Sequence, residues 1–171
     1  MLKQLKNGKQ HMPNPIDIIK EQDDLIAHTH EFILWPRMWQ AYDAKLVCNW
    51  QMHRLIESER SNIPPQSGVY TLVVQPGIAS HPACSYIMYV GQSSSLQRRF
   101  GDYLTSEKRE SGRPKIFRLL NMYESSLWFC YTLVPDNQLG IFEDALMAAY
   151  VPPKNSDNRL PANIRAIKGA F

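Results

Sequence analysis

Apolar positions change their period three times along this chain, and the changes divide it into elements. Between residues 15 and 34, Ile19, Ile26 and Ile33 recur at seven-residue intervals, which predicts a helix. Trp35-Pro36 should end it, because the residue before a proline is pushed out of the α region. Trp39, Tyr42, Leu46, Trp50 and His53 then fall three and four apart, predicting a second helix over about residues 37–60 with one docking face. The run from Ser61 to Ser67, with Pro64 and Pro65, breaks that pattern. Beyond it the pattern becomes strand-like over residues 69–74 and 86–90, separated by a loop holding Pro76, Gly77 and Pro82. Ser93 or Ser94 can cap a helix running to about Thr105, and Gly112 and Pro114 separate it from a shorter one with Ile116, Phe117, Leu119 and Leu120. Residues 126–134 read as a third strand, residues 138–150 as a helix stopped by Pro152-Pro153, and residues 160–167 as a last short helix.

Both faces of the predicted strands are largely apolar, so a sheet covered by helices is expected. The fold class that follows is α+β: a small, mainly antiparallel three-stranded sheet flanked by helices, with an N-terminal helical extension. The expected division is residues 1–62 as that lobe and residues 63–171 as the main domain. The 171 residues, 44% of them apolar, suffice for a real core. No run approaches the ~20 apolar residues of a membrane span, and the N-terminus lacks a signal-peptide core, so a cytoplasmic protein without membrane contact is expected. Cys48, Cys84 and Cys130 form no CxxC pair, which argues against a thiolate zinc site and for free thiols.

Charge changes the picture through its distribution. Seven basic residues lie between positions 98 and 118 (Arg98, Arg99, Lys108, Arg109, Arg113, Lys115, Arg118) against three acids, and Lys154, Arg159, Arg165 and Lys168 follow near the end. Clustering of this kind suits a phosphate backbone, although by itself a solvated helix face accounts for it more readily. On the helix after Ser94, Leu96, Phe100, Tyr103 and Leu104 form the apolar stripe. Arg99 flanks it one turn from Tyr103, while Arg98 points toward water. An inward guanidinium needs an anion or an acceptor. On the helix near 143, Glu143 lies at the edge of the stripe of Phe142, Ala145, Leu146, Ala149 and Tyr150, and Asp144 faces away. A salt bridge to Arg99 or another helix would satisfy that carboxylate as well as a ligand would. Tyr70 and Tyr89, on adjacent strands, fit ordinary amphipathic strand positions too.

Taken together these residues resemble the GIY-YIG nuclease family. Gly68-Val69-Tyr70 and Tyr89-Val90-Gly91 match its two tripeptides. Residues 91–100 with Tyr103 are similar to its arginine helix, and residues 143–155 to its glutamate helix and trailing asparagine. The resemblance spans about residues 67–158. Gln92 stands where many members carry lysine, and Ser95 where many carry asparagine, so phosphate contacts can differ here. The resemblance implies a metal-dependent DNA endonuclease whose catalytic residues are Tyr70, Tyr89, Arg99, Tyr103, Glu143 and Asn155. Glu143 would be the sole protein ligand of one Mg²⁺ or Mn²⁺ per site. Tyr70 would take the proton of the attacking water, which requires nearby positive charge to lower its pKa from ~10. Tyr89 would orient water or phosphate, Arg99 would stabilise transition-state charge, and Asn155 would hold the helix end or a phosphate in register. Gln92, Ser93, Arg98, Lys108, Arg109, Arg113, Lys115 and Lys154 would contact the nucleic acid.

Restriction or phage defence is the role expected by analogy, with repair or recombination, or a binding module that has lost catalysis, as the alternatives. A small-molecule enzyme finds no support, since no Gly-rich phosphate loop or nucleophile motif is present. The Trp39/Tyr42/Leu46/Trp50 stripe must be covered, either by the chain's own core or by a second copy in a homodimer.

Overall fold

A computed structural model describes residues 15–42, 46–77, 81, 83–105, 113–155, 158, 160 and 162–168. The chain divides into two compact units, Met1–Glu31 and Phe32–Phe171. The first contains helix α1 (Pro15–His28), six residues shorter at its C-terminal end than the isoleucine spacing suggests.

In the second unit, four antiparallel strands stand in the order β1 (Gln51–Arg54), β4 (Leu127–Leu133), β2 (Gly68–Val74) and β3 (Tyr86–Ser93). The expected three strands are therefore four. The additional one lies inside the segment read as a second helix, of which only α2 (Pro36–Gln40) is helical among the described residues. Without β1 the outer edge of β4 would be an open row of backbone donors and acceptors. Gln51–Arg54 closes it, with Gln51 opposite Tyr131 and Arg54 opposite Trp128. Gln51, Met52 and Arg54 are good helix formers, so the strand is adopted against local preference and held by its pairing with β4. The apolar stripe is partly covered, as short helix, loop and strand: Tyr42, Leu46 and Trp50 are half-buried against the core, and Trp39, 46% exposed on α2, donates from Nε1 to the Ala149 carbonyl at 2.9 Å.

Helices lie on both faces of the sheet, as the apolar strands require. On one face Tyr70, Leu72, Phe129 and Tyr131 meet Leu96, Phe100 and Tyr103 of α3 (Leu96–Leu104) and Ile116, Leu119 and Leu120 of α4 (Pro114–Met122). Phe129 stacks on Tyr70 at 4.8 Å and takes the edge of Phe100 at 5.3 Å, contacts worth about 0.5–1.5 kcal/mol each beyond area burial. On the other face Val69 and Val90 meet Phe142, Leu146 and Met147 of α5 (Leu139–Tyr150) and Ile164 of α6 (Ala162–Lys168). A 3₁₀ turn, Glu57–Asn62, lies against α3 at Gly101, where a Cβ would come within 2.9 Å of the Arg60 guanidinium. No helix among the described residues is long and apolar enough to cross a membrane, and the three cysteines are free.

Candidate active site

The two tyrosines of the paired tripeptides share one face because of strand register. Leu72 stands opposite Tyr89, and Tyr70 opposite Gly91; facing residues of an antiparallel pair share a side. Tyr70 and Tyr89 are consequently diagonal neighbours, with ring centroids 6.2 Å apart. Gly91 is what permits this. A Cβ there would lie 2.6 Å from Tyr70 Oη and 2.8 Å from Tyr89 Cε1, so both rings occupy the space a side chain would take. At Gly68 a Cβ would run into the Thr132 carbonyl oxygen and come 2.8 Å from Leu96 Cδ1. That glycine lets β2 approach β4 and the start of α3 together.

Helix α3 brings in the next two groups. Its cap is Ser95, whose side chain accepts from the Arg98 N–H, rather than Ser93 or Ser94. Ser93 Oγ instead fixes the turn, donating to the Ser95 carbonyl at 2.7 Å and accepting from the Ser95 N–H at 3.1 Å. Tyr103 and Tyr70 hydroxyls meet at 2.7 Å. One turn back, Arg99 is 24% exposed against 58% for Arg98, as helical phase predicts. Arg99 Nε is buried without a hydrogen-bond partner. Both arginines reach Asp102: Arg98 Nη1 is 3.4 Å and Arg99 Nη1 3.9 Å from its Oδ2.

Electrostatics correct one expectation. Burial holds the Tyr70 phenol well above its ordinary range, its tyrosine neighbours push the same way, and Arg99 only partly opposes them. Burial raises Tyr103 too. Both are neutral phenols near neutral pH, and Tyr70 is no ready-made tyrosinate base. Since these groups hold their protons more tightly folded than unfolded, the stability they contribute is present below the unfolded value of ~10 and is lost as pH rises above it. Tyrosinate absorbance at these two positions should appear only together with unfolding; an alkaline titration of wild type and Tyr70→Phe/Tyr103→Phe, followed also by circular dichroism, checks this. Ionisation of Tyr70 in the folded protein would contradict it.

Glu143 and Asn155 reach β3 from α5. Glu143 is only 2% exposed, more deeply buried than the edge position inferred from its helix, while Asp144 faces solvent. One turn on, Met147 Sδ accepts from Asn155 Nδ2 at 3.5 Å. The asparagine amide then clamps Val90: the Val90 N–H donates to Oδ1 at 2.9 Å, and Nδ2 donates to the Val90 carbonyl at 2.8 Å. Beside it the Lys154 N–H donates to the Met88 carbonyl at 2.9 Å. Met88 is the residue that the irregularity at Leu72/Val73 leaves without a partner on β2. The segment after α5 thus covers the free edge of β3 at Tyr89-Val90-Gly91. It turns there through Val151, held in the left-handed region at φ 43°, a conformation costing a β-branched residue roughly 1–3 kcal/mol. Asn155→Ala leaves two buried backbone groups unpaired, at about 1–3 kcal/mol each. Its denaturation midpoint should fall measurably below that of wild type, and an unchanged midpoint would show that the clamp is dispensable.

One cation meets Tyr89 directly. Arg113 Nη1 donates to Tyr89 Oη at 3.4 Å from the N-cap of α4. Lys115 and Arg118 are exposed on α4, and Lys154 is half-buried. Gln92 is half-buried opposite Val69 on β2. Lys108, Arg109 and Arg159 lie outside the described residues. Tyr70, Tyr89, Tyr103, Arg99 and Arg113 therefore form one group on the α3 face of the sheet, and Glu143 and Asn155 are brought to β3 by the helix packed on the other face. Asp102 escapes sequence reasoning, although its spacing of three and four from Arg99 and Arg98 is a usable signal. The contact between Arg113 and Tyr89 is purely tertiary and leaves none.

No family model matches the sequence, and none of the curated proteins does. Among solved structures the chain is similar to the GIY-YIG N-terminal endonuclease domain of UvrC from Thermotoga maritima bound to magnesium, its catalytic divalent cation, at 20% identity and TM-score 0.42 over 58% of this chain and 93% of that one. A point mutant of that domain with its divalent cation matches at 19% identity and TM-score 0.42 over 58% of this chain and 92% of the other. A further point mutant matches at 18% identity and TM-score 0.41 over 58% and 93%.

Proposed function

We propose that this chain is a divalent-metal-dependent endonuclease that hydrolyses phosphodiester bonds in DNA. The observation that carries the reading is the convergence of Tyr70, Tyr103 and Tyr89 with two arginines, one of which keeps a buried Nε without a hydrogen-bond partner. A desolvated, preorganised donor of that kind suits charge that develops on a phosphate during reaction.

Among the described residues no group of three or more His, Cys, Asp or Glu could hold a metal ion. A closed cage of protein ligands is therefore not the form the site takes there. One buried carboxylate, Glu143, fits a hard cation such as Mg²⁺, which keeps several of its waters. When bound, such an ion would neutralise charge on the phosphate oxygens. The chain's own groups divide the remaining work. Arg99 meets the charge that builds on phosphate. Arg113 donates to Tyr89 Oη, which leaves the Tyr89 proton to be donated to a phosphate oxygen or to water. Tyr70 and Tyr103, both neutral, hold each other's hydroxyls in register, so Tyr70 acts by hydrogen bonding. Asn155 acts through Val90 by fixing the strand that carries Tyr89. Conversion of supercoiled plasmid to nicked or linear form with Mg²⁺, and its loss with chelator, tests the reading. Failure to cut any DNA form with Mg²⁺ or Mn²⁺ would leave a binding module. Restriction or phage defence is the finer role we assign, supported by analogy alone; phage plating on cells with and without the expressed chain tests it.

A further inference from the structure

We propose that Lys115, Arg118 and Lys154 form one discrete phosphate subsite, which takes the backbone phosphate next to the one that is cut. The inference rests on the nuclease reading and adds a defined place for a second phosphate of the strand.

Two separate stretches of chain build it. Helix α4 starts beside Tyr89, because Arg113 at its N-cap donates to the tyrosine hydroxyl. Its buried side, Ile116, Leu119 and Leu120, packs in the same core as Met88. Lys115 and Arg118, three apart, share its exposed side. The segment after α5 comes to the same place, where the Lys154 N–H donates to the Met88 carbonyl at 2.9 Å. Arg113 thus places the start of α4 at Tyr89, and Lys154 is held at Met88, the residue before it.

The charges there are not balanced. Burial, and then the charges of Arg118 and Lys115, hold the Lys154 ammonium below its ordinary value, as expected of like charges crowded together. Among the described residues none of the three side chains makes a hydrogen bond or an ion pair. Arg98 and Arg99 have Asp102, Arg60 has Glu57, and Arg54 donates to the Ser125 carbonyl, whereas the exposed Arg37 and Arg165 likewise make no ion pair among the described residues. Lys115 and Arg118 are exposed and Lys154 is half-buried, and together they present positive charge with no carboxylate partner, a field that favours an anion. A phosphodiester, with one negative charge and two non-bridging oxygens, matches that need. Lys115 and Lys154 act here as a unit with Arg118, which sequence alone does not single out.

The test replaces all three by glutamine, which removes the charge but keeps an unbranched polar side chain, and leaves the Lys154 backbone bond intact. Binding of a fluorescein-labelled DNA duplex is measured without divalent metal over a range of salt concentrations. One shared phosphate predicts that the triple variant loses about 0.9 from the slope of log K against log salt, and Arg54→Gln on β1, the opposite edge of the sheet, loses none. An unchanged slope overturns the subsite, and a loss about three times as large overturns its sharing of one phosphate. Inorganic phosphate is also titrated into the protein alone and followed at the Lys154 and Arg118 amides. Saturable shifts in wild type that vanish in the triple variant support an anion site; their absence overturns it. Phosphate shifts without a slope change would mean a free-anion site and overturn the assignment to a strand. If both measurements succeed while wild type cuts no DNA, the nuclease reading fails and the subsite stands.

Discussion

Glu143→Gln abolishes Mg²⁺-dependent cutting of plasmid DNA and leaves duplex binding intact or tighter. The substitution changes charge with little change of shape. At 2% exposure the side chain is buried on a helix that also buries Phe142, Leu146 and Met147, so an isosteric replacement is the one the fold tolerates best. The amide is a far poorer partner for a hard cation than the carboxylate. Losing charge stabilisation worth several kcal/mol amounts to roughly 10³-fold or more in single-turnover rate. Removing a negative charge also relieves repulsion with the incoming phosphate, so affinity should hold or rise. Circular dichroism confirms that the variant is folded. Near-normal Mg²⁺-dependent cutting by folded Glu143→Gln would end the ligand assignment.

The neighbouring arginines should separate by mechanism. Arg99→Ala removes the half-buried donor under Tyr103 and should slow the chemical step by roughly 10²-fold or more, the scale of one preorganised transition-state donor. Arg98→Ala removes an exposed group and should weaken binding while lowering its salt slope by about 0.9, as loss of one phosphate contact does. Asp102 ties the two together. Single-turnover rates at saturating enzyme, compared with binding across salt, distinguish the two effects. Equal losses of rate would mean that α3 presents both arginines to the reacting phosphate alike.

The separation of Arg98 from Arg99 is legible in the sequence, because a helix turns its residues by a fixed angle. The shared face of Tyr70 and Tyr89 is not, because it depends on the register between β2 and β3. Relations that depend on which segments meet are closed to such reading. β1 exists because β4 has an edge to fill, and nothing within Gln51–Arg54 announces it; the Trp39 to Trp50 spacing suggests a helix instead. The direction of the Tyr70 shift is hidden for a similar reason. Arg99 is visible as a neighbour, but the burial that outweighs it comes from Phe129, Tyr103 and Tyr89 packed together. Asn155 is found by its place after a helix, yet its partner, the backbone of Val90, leaves no mark on the asparagine's own surroundings.

That last contact also orders events in time. Asn155 lies 65 residues beyond Val90 along the chain, so during synthesis the tyrosine-bearing hairpin emerges long before the segment that closes it. Until then β3 offers an unpaired rim to any neighbouring strand, the kind of surface that seeds edge-to-edge aggregation. Nascent or proteolysed chains ending before Lys154 should accordingly be insoluble, or rescued by chaperones, even though every residue of both tripeptides is present. Under the proposed nuclease function, the same delay ties activity to completion of that segment, because the strand carrying Tyr89 is clamped only when Asn155 arrives.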